Sequence, residues 1–392
     1  MPFFERYSDG TDVTRDKAPS LSADQARYLR LRAQRLVSTA EHQYYSVTET
    51  THALCGIQAQ YHESAKQSIW VRGQGLLAAQ ISHARVDERS LVRTWCMRGT
   101  LHIVTTEDLG WLLALLGPIF VRKSSHRYTA LGLAEQTFAR AAQAMQQLLG
   151  DIGPMTRAAL ASHLAKQGIP TEGQAIYHLL RRAALEGVVC FGPDQAGEPT
   201  YVVLENWVSM GDVLNEQEAL AQLARRYLAG YGPARAEDLA AWSGLSLRKA
   251  RSGLQSIESE LLRIDLNGGQ AWIPKSQEIL IDKSFAASRM VRLLPAYDPY
   301  LVGYRSRDLI VDPRYARRIH PGGGVIRPAI VVEGRIVGTW RAVRSRTGMA
   351  ITVEPFEELD DEMWQAIQDE TRDLGRFYQK AVTLEYDRVL AP

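Results

Sequence analysis

Apolar and polar positions along the chain change period about three-quarters of the way through. Up to about residue 285, apolar residues recur at helical spacing, interrupted by short β-like runs. Ser22 with Gln25 forms a capping-box start for "SADQARYLRLRAQRL". A second helix is expected over roughly Thr48 to Ile57. A basic third helix is expected in "ERSLVRTWCMRG", ahead of the β-like run "TLHIVT" (Thr100 to Thr105). "WLLALLGPIF" (Trp111 to Phe120) reads as a buried helix and its end at Gly117-Pro118, too short for a membrane span. From about Met290 the runs "MVRLLPAYDPYLVGY", "GVIRPAIVVEGRIVGTWRAV" and "GMAITVEPF" alternate, are β-branched and are punctuated by glycine, which predicts an antiparallel sheet or small barrel. "IHPGGGV" places three glycines after a proline, the composition of a hairpin tip. An acidic helix closes the pattern, with Trp364, Ile367 and Leu374 on its apolar stripe.

An internal echo organises the first part. "GPMTRAALASHL" begins at Gly153 and "GPARAEDLAAWSGL" at Gly232; each has Gly-Pro, five residues, then Leu-Ala. A turn and a second helical pattern follow in both. The first ends in "PTYVVLEN" (Pro199 to Asn206) and the second in "GGQAWIP" (Gly268 to Pro274). Helix, turn, helix and a small hairpin is the winged-helix pattern. With the N-terminal segment read the same way, the expectation is an α+β protein of three tandem winged-helix (helix-turn-helix) units and a C-terminal antiparallel β-barrel or sheet. The boundaries fall at 1–21 (extension), 22–125, 126–210, 211–285 and 286–392.

Composition narrows the chemistry. Of 392 residues 45% are hydrophobic and 23% charged, as in a soluble globular protein. The polar N-terminal stretch has no signal-peptide core and reads as a flexible or draped extension. Cys55, Cys96 and Cys190 are far apart with no CxxC spacing, which points to a reducing cytoplasm and no structural zinc. GxSxG, HExxH, Walker A and a GxGxxG after a strand are all missing, and the histidines do not fall at metal-ligand spacing. Net charge is +2, but the stretch from Arg289 to Arg346 is rich in arginine, has no lysine, and opposes only Asp298, Asp308, Asp312 and Glu333. Arginine suits bidentate contacts to phosphate or base edges, and equally a charged strand surface.

Several clusters are candidates for a nucleic-acid surface. Arg98, Thr100 and His102 would share one face of an extended run and could line a phosphate or base pocket; equally, Arg98 could cap a helix and His102 lie in the core. Tyr297, Asp298, Tyr300, Tyr304 and Arg305 interleave aromatics with arginine, as base-stacking surfaces and packed sheet edges both do. Arg314, Arg317, Arg318, His320 and Arg327 flank the glycine tip, where a basic hairpin could enter a groove of duplex DNA.

"GIQAQ", "RTWCMRGTLHIV", "LLPAYDPYLVGYR" and "VIRPAIVVEGRIVGTWR" together resemble the AlkZ/YcaQ family of bacterial winged-helix DNA glycosylases, over roughly Ala23 to Gly375. The resemblance implies three tandem winged helices in a C-shaped scaffold, followed by a β-barrel carrying a DNA-binding hairpin. It implies excision of bulky N7-alkylguanine adducts or unhooking of interstrand crosslinks in double-stranded DNA, by a cytoplasmic monomer without metal or cofactor. The family's catalytic motif is Gln-x-Gln in one branch and Gln-x-Asp in the other. The matching positions are Gln58 and Gln60, which points to the branch associated with self-resistance in producers of DNA-alkylating natural products.

Two amides suffice only for an activated substrate. Alkylation at N7 makes the base cationic, so it leaves without a general acid. What remains is an in-line water and an oxocarbenium-like sugar, which carbonyl and amide dipoles can position and stabilise. Residues two apart share a face only in extended chain, so the helix must end near Gly56 for both glutamines to serve one site. Two other readings stay open: a non-catalytic tandem winged-helix DNA-binding regulator, and a protein that sequesters a drug, with Tyr44, Tyr45, Trp70 and Tyr297 shaping its pocket.

Overall fold

Ser22 Oγ accepts from the Gln25 amide, and Gln25 Oε1 accepts from the Ser22 amide, so the expected capping box starts the first helix. The computed structural model describes residues 18–37, 45–281 and 290–386. The first succession runs β1 (Ser20–Leu21), α1 (Ala23–Ala33), α2 (Val47–Ala53), β2 (Ile57–Gln58), α3 (His62–Trp70), α4 (Ala78–Val86), β3 (Leu91–Trp95) and β4 (Leu101–Thr105). Helices α5 (Thr106–Lys123) and α6 (Ser125–Ala130) lead to a second: α7 (Glu135–Ile152), β5 (Met155–Thr156), α8 (Arg157–Lys166), α9 (Ala175–Leu185), β6 (Val189–Phe191) and β7 (Thr200–Val203). After the short α10 (Leu204–Trp207) comes a third: α11 (Glu216–Tyr231), α12 (Ala236–Ser243), α13 (Leu247–Ser256), β8 (Leu261–Leu266) and β9 (Gly269–Pro274). The remainder is β10 (Val291–Leu294), α14 (Pro299–Val302), α15 (Ala316–Ile319), β11 (Ala329–Val332), β12 (Arg335–Arg344), β13 (Gly348–Pro355), α16 (Asp361–Tyr378) and β14 (Ala381–Tyr386).

The echo marks the same structural step twice. After Gly153-Pro154 the chain pairs Met155 and Thr156 with β7 and enters α8. After Gly232-Pro233 it bridges Ala234 to Trp272 of β9 and enters α12. The leucines of the two echoes, Leu160 and Leu239, are both buried. The first and second successions are not separate sheets: β2-β4-β3-β6-β7-β5 form one six-stranded sheet, joined where Arg93 of β3 pairs with Phe191 of β6. The start of the described chain closes on the third succession, since β1 pairs in parallel with β8 and a small core of Leu21, Ala26, Leu29, Ile264 and Ile273 fills the space between them. Residues 1–17 of the expected extension lie outside the described residues.

Five expectations need correction. The second helix, expected over roughly Thr48 to Ile57, ends at Ala53, and Ile57 opens strand β2. The basic third helix is strand β3: all five of its residues are buried, and a strand covered on both faces loses the alternation that would have marked it. Helix α5 continues through Gly117-Pro118. A Cβ on Gly117 would lie 2.2 Å from the Leu185 carbonyl oxygen, so the glycine serves close packing of α9 rather than a helix stop. The C-terminal sheet is open, in the order β10-β11-β12-β13-β14, and not closed into a barrel. Its last strand follows the acidic helix and pairs in parallel with β13. Finally, the basic segment is helical over Pro313–Tyr315 and α15. Only Gly322 and Val325 bridge, across a turn in which Gly322, Gly323 and Gly324 all have positive φ.

The segments meet at one buried guanidinium. Arg72, just past the end of α3, donates through Nη1 to Asp298 Oδ2 and through Nη2 to Asp298 Oδ1, both at 2.7 Å. Its remaining donors reach the Ser68 carbonyl, the Gln34 carbonyl and Gln34 Oε1. Asp298 also accepts from Ser68 Oγ and the Tyr300 amide. Arg72 is 4% exposed and Asp298 0%. Asp298 was a candidate DNA contact and is instead fully buried, capping α14. Removing one partner of such a pair strands a charge in the core, so Asp298→Asn is expected to cost roughly 3–5 kcal/mol. Equilibrium urea unfolding followed by tryptophan fluorescence checks it; a loss under about 1 kcal/mol would mean water reaches the site.

Candidate active site

The chain leaves α2 abruptly. Cys55 has φ 51° and Gly56 φ 105°. A Cβ on Gly56 would lie 2.9 Å from both Met97 Cε and Val104 Cγ1, so only glycine lets the backbone turn here against β4. The chain is then extended: Ile57 pairs with Ile103, Gln58 with His102, and the Ala59 amide donates to the Leu101 carbonyl at 2.7 Å. Ile57 and Ala59 point into the core and are fully buried. Gln58 is half-buried and Gln60 exposed on the opposite side. The helix has thus ended before Gln58, as the two amides would require to serve one site.

Gln58 is oriented from below. Its Oε1 accepts from Arg98 Nη2, while Arg98 Nη1 donates to the Trp242 carbonyl in α12. Arg98 sits in a tight turn (Met97–Gly99) with φ 56°, not on a strand. Burial chiefly, with the charge of nearby Arg307 adding to it, lowers its pKa. Thr100 spends its hydroxyl on the Met97 carbonyl, closing the same turn. His102 lies opposite Gln58 on β4 but is 2% exposed, with Nδ1 on the Thr100 carbonyl at 3.0 Å. Burial, reinforced by Arg98, holds its pKa down to about 3, so the ring is neutral. Of the two readings open for Arg98, Thr100 and His102, the structure places His102 in the core and Arg98 in a turn, not on one strand face with it. Strand β4 is central in its sheet, and His102 backs Gln58 from the interior.

The backbone between the glutamines is also held. Arg93 Nη2 donates to the Ala59 carbonyl at 3.1 Å. Arg93 was missed because β3 read as a helix. Glu63, three residues past Gln60, is the nearest acid along the chain. It accepts from Lys66 and the Tyr378 hydroxyl and pairs with Arg344. Burial opposes its ionisation, but those partners win and hold it at about 2, so it stays a carboxylate.

The basic candidates divide. Arg314 pairs with Asp312 and Glu357. Arg292, Arg335, Arg341 and Arg344 also meet carboxylates, so much of the arginine excess is neutralised. Arg305, Arg307, Arg317 and Arg327 have no carboxylate partner among the described residues; Arg305, Arg317 and Arg327 are exposed and Arg318 is half-buried. Arg305 and Arg307 line a cleft of 740 Å³ with Arg30, Arg235 and His320. Both His320 ring nitrogens are buried without a partner, and burial, then Arg307, lowers its pKa to about 4, so it is no cation near neutrality. Arg307 escaped the sequence because nothing in a run of arginines marks which one will line a cleft. Of the aromatics proposed for a drug pocket, Trp70 is core and donates to Asp373 Oδ2, Tyr45 lies under the Arg35 guanidinium, Tyr44 lies outside the described residues, and Tyr297 stacks on Tyr61. Among the described residues no group of three or more His, Cys, Asp or Glu could hold a metal, and no helix is long and apolar enough to cross a membrane.

A family described as "DNA glycosylase AlkZ-like" matches residues 51–377, from α2 through almost all of α16. The interstrand DNA cross-link repair glycosylase of Streptomyces sahachiroi is 26% identical over 344 residues, covering 84% of this chain and 90% of that protein. The solved structure of DNA glycosylase AlkZ from Streptomyces sahachiroi superposes with a TM-score of 0.79 at 22% identity, over 94% of this chain and 100% of that one, a likeness of fold. The glycine-broken helix, the outward glutamines and the arginine beneath them all fall within the matched span, and the chain belongs to the AlkZ-like family of DNA glycosylases.

Proposed function

We propose that this protein is a monofunctional glycosylase that hydrolyses the N-glycosidic bond of cationic N7-alkylguanine in duplex DNA, leaving an abasic site. The observation that supports the reading is that the chain leaves the helix before Gln58, which lies on the edge strand β2 with its amide held by Arg98, and that Gln60 follows two residues on, exposed. The Gln58 oxygen is occupied by Arg98, so its NH2 faces outward as a donor to the water or a flanking phosphate. Gln60 is exposed and makes no side-chain hydrogen bond among the described residues, so its carbonyl is available to accept from the attacking water. The three helix–helix–hairpin successions serve as winged helices that carry this edge to the duplex. Arg305, Arg317, Arg318 and Arg327 hold backbone phosphates. The Streptomyces relative is named for interstrand cross-link repair; crosslinks and bulky monoadducts of a genotoxic natural product are the substrates we extend to this chain, in a self-resistance role.

Three outcomes are expected. Gln58→Ala and Gln60→Ala each reduce single-turnover release of N7-methylguanine from an oligonucleotide by about 10²–10³, the scale of losing one positioned dipole, while gel-shift affinity for the duplex holds. Release at the wild-type rate in both variants would remove the amides from the chemistry. The Arg317→Ala/Arg318→Ala pair should instead flatten the dependence of log affinity on log salt by about 1–2, roughly one for each phosphate left unneutralised; an unchanged slope takes α15 off the DNA. The third concerns pH. His102 titrates at about 3, His320 at about 4 and Glu63 at about 2, and the substrate already carries its charge. The excision rate is therefore expected to be flat between about pH 6 and 9, and an inflection near the ordinary histidine value would reveal a working acid or base.

A further inference from the structure

Tyr61 follows Gln60 directly and is 58% exposed, although it is a large aromatic at the edge of the candidate site. It is not loose. Its ring stacks on Tyr297 with centroids 5.3 Å apart and planes 20° from parallel. Tyr297 comes from the other end of the chain, just after β10, and its hydroxyl lies against the Ile326 backbone beside the triple-glycine turn. Its φ is 60°, a conformation rare for a bulky residue, and one that persists only when the surroundings impose it. Those surroundings are the buried ion pair. Tyr61 is the N-cap of α3, and Arg72 lies just past its far end; Tyr297 adjoins Asp298. The bond that joins Arg72 to Asp298 therefore also holds the two rings in register. A strained, doubly anchored backbone is spent on presenting one open aromatic face beside the glutamines.

We propose that Tyr61, backed by Tyr297, is a stacking platform for a planar aromatic substituent on the alkylated guanine, and so determines which adducts are excised. The inference rests on the glycosylase reading above. A ring that only filled a gap would be buried. A ring that only kept the surface soluble would need neither a stacked partner nor a left-handed residue beneath it. A rigid π face with one side free gains from any flat ring laid on it, whatever that ring's hydrogen-bonding edge. Bulk without a π face, or a methyl group, gains much less.

The test compares two duplexes, one carrying N7-methylguanine and one carrying N7-(pyrenylmethyl)guanine. The ratio of their single-turnover excision rates, aromatic over methyl, is expected to fall about ten-fold in Tyr61→Ala and to be retained in Tyr61→Phe, which keeps the ring. Where excision is too slow to follow, the same ratio is read from equilibrium binding of the two duplexes. An unchanged ratio in Tyr61→Ala overturns the platform; so does an equal loss on both duplexes, which would place an ordinary base or the fold, rather than the adduct, on the ring. Failure of the wild-type protein to release either base would instead overturn the glycosylase reading, and the binding ratio would still decide the platform.

Discussion

The Arg72–Asp298 pair is the constraint on which the rest of the arrangement depends. A guanidinium has five donors, and here all five are met: two by Asp298, two by Gln34 and one by Ser68. The network extends through Gln34 Nε2 to the Tyr304 hydroxyl, which in turn donates to the Tyr231 carbonyl at the end of α11. One cation thus ties α1, α3, α11 and the segment after β10. Such a pair contributes little net stability against a well-packed apolar substitute, because desolvation of both charges offsets their attraction. What it enforces is register: a shift of any of these segments would leave a buried charge unpaired. The segment it fixes most directly begins at Tyr61, one residue beyond Gln60.

That register matters because the site is made of backbone geometry more than of reactive side chains. Gly56 turns the chain out of a helix where no other residue fits. Arg93 holds the Ala59 carbonyl and Arg98 holds the Gln58 amide. Both arginines reach the glutamine segment from β3 and the turn after it, the region shared with the second succession through β6. The site is therefore assembled from long-range contacts, and an amide that must act by orientation alone gains its orientation from them.

What was legible in the sequence follows from this. Local signals survived: the capping box at Ser22 and the apolar stripe of α16 rest on residues a few positions apart, and the Gly-Pro echo repeats one local pattern. Non-local burial did not. The segment Leu91–Trp95 looked helical because, covered on both faces, it carries no alternation. Asp298 looked like a surface residue among aromatics and arginines, since its partner lies 226 positions earlier. His320 looked like part of a basic hairpin, and the place of His102 stayed open between pocket and core, because their burial is set by strands and loops elsewhere. The arginine run looked uniformly basic, yet its acids come from α16, from the strand β13 and from Glu63 near the start. Gln58 and Gln60 themselves carried no physical signal of function; only their resemblance to a family motif marked them.

The electrostatic state of the surroundings gives those two amides a consequence that fit alone would not. The charged and imidazole groups beside the glutamine edge are fixed: His102 is neutral, Glu63 is ionised and paired, and Arg98 is a cation committed to Gln58 and Trp242. None of these three is an acid poised near neutrality. An undamaged guanine must be protonated to leave, so on the proposed reading it could occupy the site without being cut. An N7-alkylated guanine brings its own positive charge and needs only a placed water and a stabilised sugar cation. Discrimination then comes from the charge of the substrate rather than from the shape of a pocket. An open edge can act on lesions of very different bulk without endangering normal DNA, and preference among those lesions is left to whatever lies beside the glutamines.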